Sequence, residues 1–415
     1  MPTSSTRSST GEPFHTLDAE SEELRDVIVH VRRHLHAHPE LGFEEHATSG
    51  FIREVLEAHG FTVEAPLAET GLYVDIEGSE PGPTIAYRAD IDALPISDAK
   101  DVSYASSTAD TAHLCGHDAH TAIAVGIALL LKRHRQEIRG RVRVFFQPAE
   151  EKTPSGAPEM IADGVLEDVQ AVYAIHVDSS QPVGTFGLKS GALTASSDSF
   201  VAKVVGASTG HSARPYEVDD TVWIANQILN SLYQIVGRIQ DTRSPAVLTI
   251  CRFKGGEALN VVPREVEFGG TIRTITAEDR TLLTEQIKRT VRKFGEMYDV
   301  ETSSKIRYGS PPVRNDKRLI DLAHQVISRE LGPNAVHWIP QPSMGGEDFA
   351  HYLTHVPGAL IRLGTSDGPD TSYPLHDANF DISEDALPIG VHLMTKLLIE
   401  TLNSHVENKY LSPNR

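Results

Sequence analysis

Cysteine is scarce in this chain: the 415 residues contain 2, Cys115 and Cys251. So few thiols exclude a disulfide framework and fit a reducing compartment. Basic residues are also in the minority, 38 Lys and Arg against 57 Asp and Glu, for a formal net charge of −19. A surface of that sign repels phosphate backbones and argues against nucleic-acid binding. Long apolar runs are missing too. The longest, AIAVGIALLL at residues 122–131, is too short to span a bilayer and reads as a buried helix. The opening MPTSSTRSST is polar and has no apolar core of the kind a secretory signal needs. These absences lead to the expectation of a soluble, cytoplasmic protein with neither nucleic acid nor membrane as partner.

Hydrophobic residues make up 40% of the chain and charged residues 23%, an ordinary globular balance. The length exceeds what one core organises, so two domains are expected. Residues 1 to about 16, rich in Ser and Thr, read as a disordered tail. Helical periodicity runs from Ala19 to about His36 and again from Glu44 to His59, where Gly60 supplies a stop. Short β-like runs follow (FTVEA, LYVDIEG, TIAYRAD), then an apolar helix from about His120, the strand RVRVFFQPAE, a short helix and the strand AVYAIHV. Strands alternating with helices predict an α/β domain with a mixed, largely parallel sheet. Between Leu193 and Tyr308 the rhythm changes. SFVAKVVGA, a helix at 220–239, AVLTICRFKGG, EVEFGGTIRT, a helix at 278–298 and ETSSKIRYG give β-α-β-β-α-β, the ferredoxin-like order. We expect an inserted domain at 193–308, dividing the α/β domain into 17–192 and 309–415. Helices at 316–331 and 385–403 and the strand ALIRLG complete the second part.

Four segments carry chemistry. HLCGHDAH (113–120) places a thiol, several imidazoles and a carboxylate together, and Cys115 and His117 flank a glycine that lets the backbone bend. A thiolate and an imidazole suit zinc or a similar divalent ion. A merely His-rich loop is the plainer reading, and the rarity of cysteine weighs against it. FFQPAEE (145–151) ends an apolar strand in Glu150 and Glu151. Neighbouring side chains on extended backbone point apart, so one carboxylate can bind a metal while the other works on water. Taken alone, a solvated charge pair at a strand end is the better reading of them. His176 closes AVYAIHV, and a lone His on an apolar strand is more often a core residue than a ligand. Its place at a strand's carboxyl end changes that, because α/β sheets bind ligands there; Asp90, Glu150 and Glu151 fall at such ends as well. PLHDANFD contains His376, and GHSA, ALNVVP and GTIRT contain His211, Asn260 and Arg273. Each of these is bland alone. MGGEDF (344–349) offers a glycine pair that brings backbone close to a ligand.

These segments resemble, in order and over nearly the whole chain, the metal-dependent amidohydrolases typified by hippurate hydrolase, indole-3-acetyl-amino-acid hydrolase and N-acetyldiaminopimelate deacetylase. That family lies within the aminoacylase and glutamate carboxypeptidase superfamily. The resemblance runs from LHAHPELGFEE through RADIDALPI, HLCGHDAH, FQPAEE, AIHV, GHSA, LNVVP, GTIRT and GGEDFA to PLH. It implies a catalytic domain holding two divalent metal ions, zinc or manganese before cobalt or nickel, and an inserted lid that also forms a homodimer. It further implies metal ligands Cys115, His117, Glu151, His176 and His376, with Glu150 as general base. His211 would stabilise the tetrahedral intermediate, in dimeric relatives from the partner subunit. Asn260 and Arg273 would hold the substrate's carboxylate or carbonyl. Five ligands exceed one tetrahedral site, which argues for two ions.

The expected activity is hydrolysis of the amide of an N-acyl amino acid or similar small amide by metal-activated water. A metallo-dipeptidase or carboxypeptidase acting on small peptides is the alternative. A thiol hydrolase with Cys115 as nucleophile and a binding protein that has lost catalysis are further rivals, and the intact set of ligands weighs against both. The sequence departs from the family pattern at KTPSGAPEM (152–160), at VDSSQPVG after His176 and at RPYEVDD after GHSA. These departures concern the pocket wall rather than the ligands.

Overall fold

The computed structural model describes residues 14–404. The helices are α1 (Phe14–Glu23), α2 (Arg25–Ala37), α3 (His46–Ala58), α4 (His117–Arg133), α5 (Gly156–Ala162), α6 (Thr221–Tyr233), α7 (Ala277–Tyr298), α8 (Lys317–Glu330) and α9 (Ala386–Ser404). The first part of the chain supplies strands β1 (Glu64–Leu67), β2 (Gly71–Glu77), β3 (Glu80–Asp90), β4 (Arg139–Gln147), β5 (Val169–Pro182), β6 (Phe186–Leu188) and β7 (Gly191–Ala192). The middle supplies β8 (Asp198–Val205), β9 (Gly210–His211), β10 (Ala246–Lys254), β11 (Val261–Val262), β12 (Glu265–Thr274) and β13 (Glu301–Arg307). The last part adds β14 (Arg314–Asn315), β15 (Val336–Trp338) and β16 (Gly358–Ser366).

The large sheet has eight strands in the order β1-β2-β4-β3-β5-β16-β6-β15. Its centre is parallel, with β4, β3, β5 and β16 aligned, as expected. Antiparallel pairs occur toward the edges, at β1–β2, β2–β4 and β16–β6. The central strands are buried on both faces, which is why they read as continuous apolar runs. Along β3 the faces alternate. Ile85, Tyr87 and Ala89 join a core with α2, α4, α8 and α9, while Ala86 joins a second core with Met160, Phe349 and Tyr352. Helix α4 is buried throughout its apolar stretch. Each large side chain so covered contributes about 1.5–3 kcal/mol.

The middle segment builds its own four-stranded sheet, ordered β10-β12-β8-β13, with every neighbouring pair antiparallel. A separate core of Phe200, Val204, Ile228, Phe268 and Ile287 joins that sheet to α6 and α7. Burial alternates along β8, as in a sheet with one covered face. The chain leaves the large sheet and returns to it at adjacent points, because Ala192 on β7 pairs with Arg314 on β14.

Some boundaries differ from the sequence expectations. Residues 1–13 of the expected tail lie outside the described residues, and α1 already begins at Phe14. The single helix expected from Ala19 is divided at Leu24, whose N–H bonds to Ser21 O and tightens the turn. Helix α4 starts at His117 rather than His120, because Gly116 before it takes a left-handed conformation, φ 86°. Strand β4 stops at Gln147, since Pro148 has no N–H to offer the ladder. The carboxylates Glu150 and Glu151 therefore stand in the loop beyond the strand, not on extended backbone. Among the described residues, no helix is long and apolar enough to cross a membrane.

Candidate metal centre and catalytic cleft

The loops after β3 and β4, the start of α4, mid-β5 and the loop after β16 meet at one cleft. Cys115 lies beneath it, buried, with Sγ 3.6 Å from His176 Nε2. His176 Nδ1 faces the carbonyl of Val177 at 2.8 Å. That contact fixes the proton on Nδ1 and leaves Nε2 as the donor atom turned toward the thiol. His117 is oriented in the same manner: its Nδ1 faces the backbone oxygen and the carboxylate of Asp92 at 2.9 and 3.1 Å. Its Nε2 is buried and has no hydrogen-bond partner among the described residues. Asp92 also accepts from the Glu151 N–H at 3.0 Å, so one carboxylate sets the positions of two candidate ligands. His376 arrives on a left-handed residue, φ 68°, with its N–H bonded to Leu114 O at 2.8 Å.

The donor atoms of Cys115, His117 and His176 lie within 4.8 Å of one another, and so do those of Cys115, Glu151 and His376. The thiol belongs to both groups. The five ligands that the sequence suggested thus form two adjoining sets around a shared sulfur. Sulfur, nitrogen and oxygen donors in these numbers suit divalent transition metals. The orphaned Nε2 of His117 is the kind of buried atom a cation would satisfy.

The electrostatics also call for positive charge. Burial pushes the Glu150 carboxyl well above the usual range, and the nearby charges of Glu347, Glu151 and Asp348 push it further. Burial also pushes the Cys115 thiol up. Asp348 is raised to about 7 by burial, with Arg88 opposing. Burial works against the His117 imidazolium, yet the Asp90 charge and the Asp92 hydrogen bond hold it well above the ordinary histidine range.

Asp90, at the end of β3, supports the site. It ion-pairs with Arg88 at 2.7 Å and bonds His120 Nδ1 at 2.6 Å, while His120 Nε2 accepts from the Val177 N–H at 3.0 Å. Arg88 continues to Gln147 and Asp348 at 2.8 Å each. Glu150 Oε1 accepts from the Asp348 N–H at 3.3 Å.

Above these residues opens a cavity of about 510 Å³. Glu150, Glu151, Cys115 and His376 line its floor. Arg273 reaches it from β12 of the smaller sheet, beside Gly346 of MGGEDF. The departing segment KTPSGAPEM lines it through Lys152, Thr153, Pro154, Ser155 and Pro158. His211 and Asn260 do not line the cavity of their own chain. His211 is exposed and pairs with Val261 across β9 and β11, and Asn260 O accepts from the Ser212 N–H at 3.1 Å, so the two sit together on the smaller sheet's periphery.

Sequence reasoning missed Glu347, Asp348 and Arg362, which line the cavity, and Asp92 and His120, which are buried beside it and hold its segments in place. Asp92 stands inside RADIDALPI and the two acids inside GGEDFA, so a signal was present for these. Arg362 carried none.

A model of peptidase family M20/M25/M40 matches residues 86–400. N-acetyl-L-cysteine deacetylase of Bacillus subtilis is 35% identical over 96% of this chain and 95% of its own length. Thermostable carboxypeptidase 2 of Saccharolobus solfataricus is 34% identical over 92% of this chain and 97% of its own. The crystal structure of a dinuclear metal-binding M20 peptidase from Bacillus subtilis superposes with a TM-score of 0.81 at 34% identity, covering 92% of this chain and 99% of that one. The convergent donor sets and these similarities lead to one conclusion: the chain belongs to peptidase family M20/M25/M40 and is a metal-dependent hydrolase of amide or peptide bonds.

Proposed function

We propose that the enzyme hydrolyses the amide of N-acylated amino acids, with Cys115, His117, Glu151, His176 and His376 holding two divalent cations. The observation that carries this reading is the pair of donor sets sharing Cys115, with Glu150 directly beside them. When bound, such cations supply Lewis-acid activation of water and of the amide carbonyl. Zinc suits the thiolate, and manganese, cobalt or nickel can occupy the same donors.

Glu150 takes the proton of the attacking water and returns it to the leaving amine. Its buried, acid-crowded surroundings favour the protonated form it passes through. Arg273 presents a planar fork to the amino acid's carboxylate. Residues 193–308 act as an inserted ferredoxin-like lid that excludes water on closing. The β-α-β-β-α-β order, the separate core and the adjacent entry and exit points support that reading. The boundaries 17–192, 193–308 and 309–415 follow from it. His211 and Asn260 serve the cavity of a second copy. Their absence from the lining of their own chain's cavity and the exposed Tyr216, Leu259 and Val261 near them in sequence support a homodimer through the lid. The acidic surface and low cysteine content favour a cytoplasmic enzyme acting on small molecules.

Cleavage of small peptides from the carboxyl end is the second reading, favoured by the carboxypeptidase similarity. A panel of N-acetyl, N-benzoyl and indole-acetyl amino acids plus dipeptides, run with each added metal, separates the two. The expected result is faster turnover of acylated amino acids; turnover of dipeptides alone replaces the first reading with the second.

A further inference from the structure

Arg362 is a second free cation of the cavity. Its Cα on β16 pairs with His176 on β5 and with Gly187 on β6. Residues paired across neighbouring strands project to the same face. The guanidinium therefore rises on the face that carries His176, and it lines the cavity together with Cys115, Glu150 and Arg273. A Cβ at Gly187 would stand 2.9 Å from Arg362 Cβ, so the glycine leaves room for this side chain. Among the described residues, the guanidinium has no hydrogen-bond or ion-pair partner. Arg88 nearby is saturated by Asp90, Gln147 and Asp348.

An unpaired, half-buried guanidinium is costly. Beside a cation site it is doubly so, since it repels the ion that His176 would hold. An anion between the two relieves both penalties. Arg362, Ser343 and Leu375 also border a neighbouring cavity of about 450 Å³, where a substrate's outer portion can extend.

We propose that Arg362 selects amides carrying a second anionic group, in addition to the carboxylate met by Arg273. This assignment rests on the amide-hydrolysis reading above and names its substrate class. The second carboxylate comes from the acyl group or from the amino acid's side chain.

The test uses metal-loaded wild type and Arg362→Gln on N-acetyl-leucine, N-acetyl-glutamate and N-succinyl-leucine. The wild type is expected to prefer at least one of the dianionic amides to N-acetyl-leucine. Arg362→Gln should lower kcat/KM on that substrate about 10- to 100-fold, mainly through KM, with N-acetyl-leucine held within about 3-fold. Bound metal should be unchanged. A loss confined to N-succinyl-leucine assigns the carboxylate to the acyl group; one confined to N-acetyl-glutamate assigns it to the side chain. An equal loss on all three, or none on any, overturns the proposal. Calorimetry of the same compounds with metal-loaded Glu150→Gln, with and without Arg362→Gln, reads binding without turnover. If the wild type hydrolyses none of the amides, the amide-hydrolysis reading fails. The Arg362 assignment fails when affinity for both dianions is unmoved.

Discussion

His376 Nε2 lies 3.0 Å from Glu151 Oε1, yet among the described residues that oxygen has no partner with hydrogen-bond geometry. The two donors converge on common space without bonding one another, which is what ligands of one cation do. Cys115 completes the set. Glu150, one residue before Glu151, stands between two groups: its carboxylate lies near His117 and Glu151 on one side and near Glu347 and Asp348 on the other. The proposed ligand and the proposed base are thus adjacent in sequence yet separate side chains.

That separation gives the first expectation. Glu150→Gln should lower kcat by about a hundred- to ten-thousand-fold while metal content stays at the wild-type level. Steady-state kinetics with metal analysis of the same samples checks it. Wild-type turnover by the variant would show the base to be elsewhere.

Metal removal separates hydrolysis by activated water from a thiol mechanism. Dialysis against a chelator should abolish activity and lower the unfolding temperature, and added zinc or manganese should restore both. Iodoacetamide should leave the metal-loaded enzyme active, because Cys115 is buried while the alkylation-accessible thiol is the exposed Cys251. A Cys251→Ser background makes the comparison clean. Full activity after chelation, with loss on alkylation, would favour Cys115 as nucleophile.

Which parts of this site the sequence discloses follows from how local each signal is. Cys115 with His117, and Glu150 with Glu151, share short segments, so residue type and spacing point to them directly. His376 is a single histidine in a loop, and only the family resemblance singles it out. Arg362 depends on β16 lying beside β5, and no local pattern tells which strands become neighbours. The buried network of Arg88, Asp90 and Asp348 is equally silent, because a polar residue in an apolar strand does not announce its partner. His211 and Asn260 come together through the short β9–β11 pairing. The large parallel sheet and the β-α-β-β-α-β order were legible because period and apolar runs are local properties.

Glu45 offers a pH test at a carboxyl that is not itself one of the proposed metal ligands. It accepts from the Thr70 hydroxyl at 2.7 Å and from the Ala149 N–H at 2.9 Å. Burial pushes its carboxyl up to about 7, against the pull of the Thr70 bond. The unfolded value is near 4.3. Between the two the folded state holds the extra proton, so this group's contribution to stability falls as pH rises from about 4.3 to 7 and is level above. The loss amounts to about 4 kcal/mol at most. Glu45→Gln should remove that slope. Urea unfolding of both proteins at pH 5 and pH 8 reads the difference, and Asp348, present in each, cancels. An unchanged gap between the proteins at the two pH values would refute the shift.

The exposed position of His211 yields the last expectation. His211→Ala should reduce kcat on the order of a hundredfold, as loss of a donor to the developing oxyanion does, with metal retained. Mixed with Glu150→Gln and allowed to exchange subunits, the two inactive proteins form hybrids. In a two-fold dimer with shared sites, each hybrid has one cleft with an intact Glu150 and a partner's intact His211, and another cleft lacking both. Random exchange makes half of the dimers hybrid, so activity should recover to about a quarter of wild type. If His211 served the cleft of its own chain, every cleft in the mixture would lack one of the two groups, and mixing would restore nothing.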